Sequence, residues 1–412
     1  MGKLYQLTDK NKDTWCVNAF HSLCGMNNGS TKICCMYEMD MPLNTYPTLG
    51  DAPLNDHMVF KEFMEVREDL SNGIKHKACR KCWEEEDSGR DSKRVRDNKV
   101  YFDSDIRFRP GTLAKIELSL GNTCNIKCRT CAPHSSSTWM REFQETRYPD
   151  MDYKTWVVVA ELDKFYKHYG DESPFWDDIE KNLSTIKQFD FYGGEPFMSK
   201  KMWSLINAAS EKGYANDIEL HYNTNGTLWP EKELECWKNF RHVSLSFSID
   251  GINDRFEFMR HPAKWDTVIE SYRKAEKMKD EFGNMSLDWC ITLSNLNIYY
   301  LPETLEYFYN NVSPSTGLYL NLVHGPKYFN IQYLHDDLKD VVRERLSKLK
   351  QNSLVTDNAA SQIDGIINFM NNGKFDKITW DNFKKNIDTH DTYRKENYYE
   401  TFPEFGELIK AK

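Results

Sequence analysis

Between residues 112 and 330, short apolar runs alternate with longer segments of helical period. Six runs, at 115–120, 188–192, 218–223, 243–249, 287–293 and 318–323, are β-branched or aromatic and read as strands. Each is closed by turn chemistry: Gly121-Asn122, Gly193-Gly194, Asn225-Gly226, Asp250-Gly251, Ser294-Asn295 and Gly325-Pro326. Helical patterns at 201–212, 230–240 and 265–282 lie between them. Strict alternation of the two periods implies a parallel sheet with helices outside. Six such units predict an α/β fold, a partial (β/α)6 barrel. Chemistry in parallel barrels sits at the C-terminal ends of the strands, and the candidate motifs of this region fall there.

Two other regions flank the barrel pattern. Residues 1–100 are loop-rich and hold six of the eleven cysteines. Residues 331–412 carry amphipathic patterns at 336–349, 358–371 and 380–393, with Val341, Leu346 and Leu349 at helical spacing, and end in a polar tail. They read as a helical cap over the open side of the barrel, or as a substrate-recognition lid. The expected domains are therefore 1–100, 112–330 and 331–412.

Composition narrows the function classes. A chain of 412 residues with 14% aromatics can bury a large core and is not disordered. A net charge of -9 argues against broad nucleic-acid binding. One stretch runs the other way: Lys75, Lys77, Arg80, Lys81, Arg90, Lys93, Arg94, Arg96 and Lys99. It reads as a solvated or cluster-adjacent surface, or as a dock for an acidic substrate. No apolar run is long enough to span a membrane. The N-terminus lacks the apolar core of a signal peptide, and Gln6 stands where myristoylation after Gly2 needs Ser or Thr. A reducing cytoplasm is the expected compartment, where cysteines point to metal or catalysis before disulfides.

Cys124, Cys128 and Cys131 follow the first barrel strand with spacing C-x3-C-x2-C. Three thiolates on one short loop suit three corners of a [4Fe–4S] cluster and leave one iron open, whereas structural zinc sites close with four ligands. After the second strand comes Gly193-Gly194-Glu195-Pro196. The glycines permit close approach to the backbone, and the carboxylate can accept from an ammonium group. Asn223 ends the third strand, where an amide can read ribose hydroxyls. Ser248 ends the fourth and Arg260 follows it, a hydroxyl and a guanidinium suited to a carboxylate. Ammonium, carboxylate, ribose and an open iron together describe S-adenosylmethionine on a cluster.

In these motifs the segment from about 112 to 330 resembles the radical S-adenosylmethionine (radical SAM) superfamily. The resemblance implies a cluster held by Cys124, Cys128 and Cys131, a methionyl amino group at Gly193, Gly194 and Glu195, ribose at Asn223, and methionyl carboxylate at Ser248 and Arg260. It also implies reductive cleavage of S-adenosylmethionine to a 5′-deoxyadenosyl radical that removes a substrate hydrogen atom. One position departs from the family: the residue before the third cysteine is usually aromatic and supports adenine, and here it is Thr130.

Farther upstream, twelve residues separate Cys16 from Gly29 and four more separate Gly29 from Cys34; Cys79 and Cys82 follow as C-x2-C. This resembles the SPASM and twitch domains, which hold auxiliary iron–sulfur clusters. The further cysteines of a full SPASM domain are missing, and the domain precedes the barrel where it usually follows. The implied ligands of a second [4Fe–4S] cluster are Cys16, Cys34, Cys79 and Cys82, with Cys35 as a substitute for Cys34. A four-cysteine site is also a common structural zinc site, so zinc stays open. The segment with Trp83, Arg90, Ser92 and Arg94 links the regions. Cys236 and Cys290 read as core positions, Cys290 with a pocket-facing alternative, and Cys24 as a bystander. His324 stands at the end of the sixth strand, either in the core or facing the pocket.

The expected function is oxidation or crosslinking of a peptide or protein side chain by a radical SAM enzyme. Alternatives are dehydrogenation of a small sugar-like metabolite and, from another class, a zinc-binding scaffold without catalysis. Expected partners are S-adenosylmethionine, the substrate, and an electron donor such as flavodoxin or ferredoxin, with no membrane and no nucleic acid.

Overall fold

The computed structural model describes residues 7–38, 47–103, 108, 111–162, 168–170 and 172–412. Met1, Gly2 and Gln6, on which the reading of the N-terminus rests, lie outside them. One sheet of eight strands organises the described chain: β1 (Ser22–Gly25), β2 (Thr31–Lys32), β3 (Lys115–Ser119), β4 (Gln188–Tyr192), β5 (Glu219–Thr224), β6 (His242–Ser248), β7 (Met285–Leu293) and β8 (Gly317–Leu322). The spatial order is β2-β1-β3-β4-β5-β6-β7-β8. Every neighbouring pair is parallel except β1 with β2. The six expected strands are β3 to β8, in the α/β arrangement of a partial barrel. The two additional strands come from the N-terminal region, which therefore extends the barrel sheet.

The strands alternate with period two. Ile116, Leu118, Phe189, Phe191, Leu220, Tyr222, Val243, Leu245, Phe247, Leu287, Trp289 and Ile291 are buried in the apolar layer. Helices such as Lys200–Glu211 and Trp265–Phe282 cover it with Met202, Ile206, Val268 and Tyr272. Intervening positions are polar: Lys115 and Glu117 on β3, Asp190 and Tyr192 on β4, His221 and Asn223 on β5, Ser244, Ser246 and Ser248 on β6, Asp288 and Cys290 on β7, Tyr319 and Asn321 on β8. Parallel strands buried on both faces are normally apolar throughout. Here one face is the bore of the barrel, and it is charged.

The helix Lys93–Asp103 neutralises that bore. Lys93 Nζ lies 2.9 Å from Glu117, 3.1 Å from Asp97 and 3.7 Å from Asp190. Lys115 Nζ lies 2.9 Å from Asp97, 3.0 Å from Asp190 and 3.5 Å from Glu117. Arg96 donates to the Tyr319 hydroxyl at 3.0 Å, and Arg94 pairs with Glu86 at 2.7 Å. The basic stretch read as a surface is thus, at Arg90, Lys93, Arg94 and Arg96, a buried or half-buried insertion into the sheet's polar face. Its partners on the strands run from Glu117, 24 positions beyond Lys93, to Leu320, 230 beyond Arg90, so local charge counting cannot see them.

The free edge of β8 is closed by side chains. Gln362 accepts from Leu320 N at 3.0 Å and donates to Leu318 O at 3.3 Å, while Arg90 Nη2 donates to Leu320 O at 2.6 Å. Gln362 belongs to the helix Asp357–Asn372, one of the C-terminal helices with Asp336–Leu349 and Lys377–Arg394. These pack a second apolar core with Leu293, Leu301, Leu320 and Leu322. The chain does not end in a polar tail: the helix Pro403–Lys410 buries Phe405 and Ile409 beside Phe402. Among the described residues no helix is long and apolar enough to cross a membrane.

Candidate functional site

The loop after β3 carries Cys124, Cys128 and Cys131, and the fold clamps it from three sides. Asn122 Nδ2 donates to Pro133 O at 2.8 Å, closing the loop at its base. Ser136 Oγ donates to Ile126 O at 2.6 Å, and Trp139 Nε1 donates to Cys128 O at 2.9 Å. Lys127 N and Arg129 N donate to His261 O and Met259 O at 2.7 and 2.8 Å. Burial, then the Cys128 thiol, pushes Cys124 up to about 12. Burial, then Cys128 and Cys124, also raises Cys131. Three mutually repelling buried thiols ionise when a cation takes their charge, so the donor set fits a metal centre.

Gly193 and Gly194 sit against this loop in left-handed backbone, with φ of 76° and 56°. A Cβ on Gly193 would lie 2.1 Å from Ser119 Oγ, and one on Gly194 would lie 2.3 Å from Thr123 O. The close approach that the glycines permit is made here by the protein's own β3 loop. Gly194→Ala is expected to cost about 1–3 kcal/mol and, because Thr123 adjoins Cys124, to lower metal retention. Melting temperature and bound iron after desalting check both effects.

Glu195, the expected acceptor for an ammonium group, accepts from Phe197 N at 3.2 Å, Thr224 Oγ1 at 2.9 Å and Asn225 N at 2.8 Å. It braces the β4 and β5 loops together, and burial pushes it up to about 7. Asn223 faces the bore with Nδ2 3.2 Å from His221 Nε2. Asn225, which sequence reasoning passed over, donates to Cys124 Sγ at 3.9 Å and to Asn125 Oδ1 at 2.9 Å.

Arg260 is buried, with Nη2 2.9 Å from Asp250 and Nη1 donating to Cys128 Sγ at 3.8 Å. Its Nε is buried without a hydrogen-bond partner, so the guanidinium keeps donor capacity for a ligand beside the cysteine loop. Ser248 ends β6 on the same polar face, in register with Cys290. Cys290 therefore faces the bore, as the pocket-facing alternative had it, and burial, then Asp250, pushes it up to about 12.

The four N-terminal cysteines are brought together. Burial, then Cys82, pushes Cys16 up to about 12; burial, then Cys16 and Cys82, raises Cys79. Cys34 is raised by burial, then by Cys35, Glu117, Cys16 and Cys82. Cys35 turns elsewhere: its N–H donates to Glu117 Oε2 at 2.8 Å, and its thiol responds to Glu117, Lys93 and Lys115. Cys24 is buried, with its Sγ 3.2 Å from the Tyr192 hydroxyl. Among the described residues no group of three or more His, Cys, Asp or Glu side chains is arranged for a single metal ion.

The C-terminal helix Lys377–Arg394 adds an ionic layer under the cysteine loop that the sequence did not announce. Arg129 pairs with Asp391 at 2.6 Å and Glu396 at 2.5 Å. Glu142 accepts from Lys127 at 2.7 Å, His390 at 2.8 Å and Arg394 at 2.9 Å. Burial opposes the Glu142 charge, but His390, Arg394 and Lys127 hold it down to about 2. A depressed carboxylate stabilises the fold above its ordinary value and loses that contribution as pH falls through its folded value. The deficit of Glu142→Gln in urea unfolding is expected to be about 3 kcal/mol at pH 6 and to shrink between pH 4.5 and 2. Beside this layer, Thr130, Cys131, Trp139, Phe143, Tyr328 and Phe329 line a cavity of about 150 Å³.

Residues 118–308 match the family model of the Radical SAM superfamily. No curated protein matches the chain. Among solved structures, anSMEcpe with bound AdoMet is 14% identical, covers 57% of this chain and 58% of its own, and has a TM-score of 0.36. SuiB of Streptococcus suis bound to S-adenosylmethionine is 13% identical over 73% of this chain and 57% of its own, with a TM-score of 0.34. SuiB bound to its precursor peptide SuiA is 11% identical over 83% of this chain and 56% of its own, at 0.32. The chain thus spans less than three fifths of each of these relatives.

Proposed function

We propose that this chain is a radical SAM enzyme that oxidises or crosslinks a side chain of a peptide or protein. The carrying observation is the convergence of three buried thiols, the glycine elbow of β4 and an arginine with a free buried donor at the C-terminal ends of the strands. The match of residues 118–308 to the superfamily supports the reading. Cys124, Cys128 and Cys131 would hold a [4Fe–4S] cluster, which when bound supplies the electron that splits the sulfonium C–S bond of S-adenosylmethionine. Arg260, with Ser248 beside it on β6, would take the methionyl carboxylate. Gly193, Gly194 and Glu195, whose carboxylate keeps acceptor capacity beside its bonds to backbone and Thr224, would receive the ammonium group. Asn223 would meet the ribose. Trp139, Phe143, Tyr328 and Phe329 offer the aromatic support for adenine that Thr130 lacks.

Cys16, Cys34, Cys79 and Cys82 would hold a second, closed cluster in a twitch-like segment. The spacing of these four cysteines, with Gly29 between the first two, supports the twitch reading over zinc. The domains are proposed as 1–100, 112–330 and 331–412, with the first anchored in the sheet of the second. Flavodoxin or ferredoxin is the proposed electron donor and the cytoplasm the proposed compartment. A sugar-like substrate and a zinc scaffold are the competing readings.

An anaerobic iron and sulfide count, with electron paramagnetic resonance of the reduced protein before and after adding S-adenosylmethionine, tests this. About eight irons per chain and a partly altered spectrum are expected. A spectrum indifferent to S-adenosylmethionine, or a protein without iron, would leave the scaffold reading standing.

A further inference from the structure

Where the three regions of the chain meet, four buried polar atoms lack hydrogen-bond partners: Glu85 Oε2, Arg90 Nε and Nη1, and His324 Nε2. Glu85 comes from the cysteine-bearing helix Arg80–Asp87, Arg90 from the segment after it, and His324 from just beyond β8. His324 Nε2 stands 3.5 Å from Glu85 Oε1, too long for a good hydrogen bond. Arg96, Tyr319 and Cys290 surround the group closely enough that each perturbs the ionisation of its neighbours.

The fold holds these atoms in place at a cost. A Cβ on Gly365 would lie 2.2 Å from Arg90 Cγ. A glycine inside a helix gives up about 1 kcal/mol against alanine, so its presence keeps space for the Arg90 stem. Phe369, on the same helix, meets the His324 ring edge-on at 5.5 Å. Capping of the β8 edge uses only Arg90 Nη2 and does not explain Nε or Nη1. Each buried polar group left unsatisfied costs about 1–3 kcal/mol, and the three on Glu85 and Arg90 point to a ligand.

The chemistry of that ligand follows from what is left over. Arg90 offers donors and Glu85 an acceptor. A lone carboxylate would satisfy Arg90 and stand against Glu85. A lone ammonium would satisfy Glu85 and stand against Arg90 and Arg96. A neutral group with acceptor and donor side by side satisfies both. We propose that Glu85, Arg90 and His324 form a recognition site for the main chain of one extended substrate residue, whose carbonyl and N–H point to the same side, the carbonyl accepting from Arg90 and the N–H donating to Glu85. His324 braces the Glu85 carboxylate from behind. The site lies beside β8, where Arg90 meets Leu320 O and His324 follows the strand. It rests on the peptide reading of the function and narrows it to recognition of main chain.

The test uses the full chain, reconstituted with iron and sulfide under anaerobic conditions, and N-acetylalanine N-methylamide as the probe. Saturation-transfer NMR on the acetyl methyl group reads its binding. Wild type is expected to bind the probe, and Glu85→Gln and Arg90→Lys to bind it about tenfold more weakly or worse, as for loss of a hydrogen bond to a charged group. Sodium acetate at equal concentration is expected not to compete. Equal binding by wild type and Arg90→Lys, or displacement by acetate, would overturn the amide site. Arg90→Lys leaves the cysteine-bearing helix unchanged and keeps the test decisive if Glu85→Gln fails to fold. The paramagnetic resonance response to S-adenosylmethionine is recorded on the same samples. An indifferent wild-type spectrum with intact probe binding rejects the enzyme reading alone; the converse rejects the amide site alone.

Discussion

Replacing Cys124, Cys128 or Cys131 by alanine is expected to abolish cleavage of S-adenosylmethionine and to leave the metal at the N-terminal cysteines in place. All three donors come from one loop, and its clamps, Asn122, Ser136 and Trp139, do not involve Cys16, Cys34, Cys79 or Cys82. With one thiol gone, two remain, and Arg260 loses a nearby anion when that thiol is Cys128. The loss of activity should be complete within detection, because no spare cysteine stands on the loop. Iron should fall from about eight to about four per chain. Quantifying 5′-deoxyadenosine by chromatography, with iron counted on the same samples, checks both parts. Normal cleavage by any one of the three variants would remove the catalytic assignment, and loss of all iron in one step would mean that the two cysteine groups do not fold independently.

The strands and the cysteine loop were legible because their signals are local. Turn residues close each strand, and C-x3-C-x2-C with a glycine elbow one strand later needs no tertiary knowledge. Charge placement was not legible in the same way. Lys93 and Arg96 look like any solvated helical face, and their partners Glu117, Asp190 and Tyr319 lie on three different strands. A signal was nevertheless present: KIELS, QFDFY, ELHYNT and HVSLSFS each alternate apolar with polar residues. For a parallel sheet, buried on both faces, such alternation demands a polar filling, and the surplus of cations at 90–96 is what supplies it. Glu195 carries a duty that its motif does not announce: hydrogen bonds from Phe197, Thr224 and Asn225 tie it to both loops. Glu85 gave no local sign and His324 only its place after the sixth strand, since their meaning comes from the meeting of the N-terminal region with β8.

Lys115→Met is expected to cost about 3–5 kcal/mol, as breaking a buried ion network from one side does. Lys115 is nearly fully buried, and three carboxylates lie within 3.5 Å of its ammonium group. At an effective dielectric constant near 20, one contact at 3 Å is worth about 5 kcal/mol, and the desolvation of the lysine offsets much of the sum. Removing the cation loses the attraction and leaves three anions to share Lys93 alone. Burial would raise Asp97, but Lys115 and Lys93 hold it well below the usual carboxylate range. In the variant it should therefore drift upward, and the stability that Asp97 contributes above its ordinary value should be lost at higher pH than in wild type. The damage should also reach the metal centres unequally. Glu117, one of the stranded anions, accepts from Cys35 N–H next to Cys34, while the Cys124–Cys131 loop is clamped by other residues. Iron at the N-terminal cysteines is expected to fall first as urea is raised, with the S-adenosylmethionine-sensitive signal persisting. Urea unfolding of wild type, Lys115→Met and the charge-paired double variant Lys115→Met/Asp190→Leu measures the effect. Partial recovery in the double variant supports an ionic bore. A single variant within about 1 kcal/mol of wild type would mean that the charges in the bore are already satisfied by water.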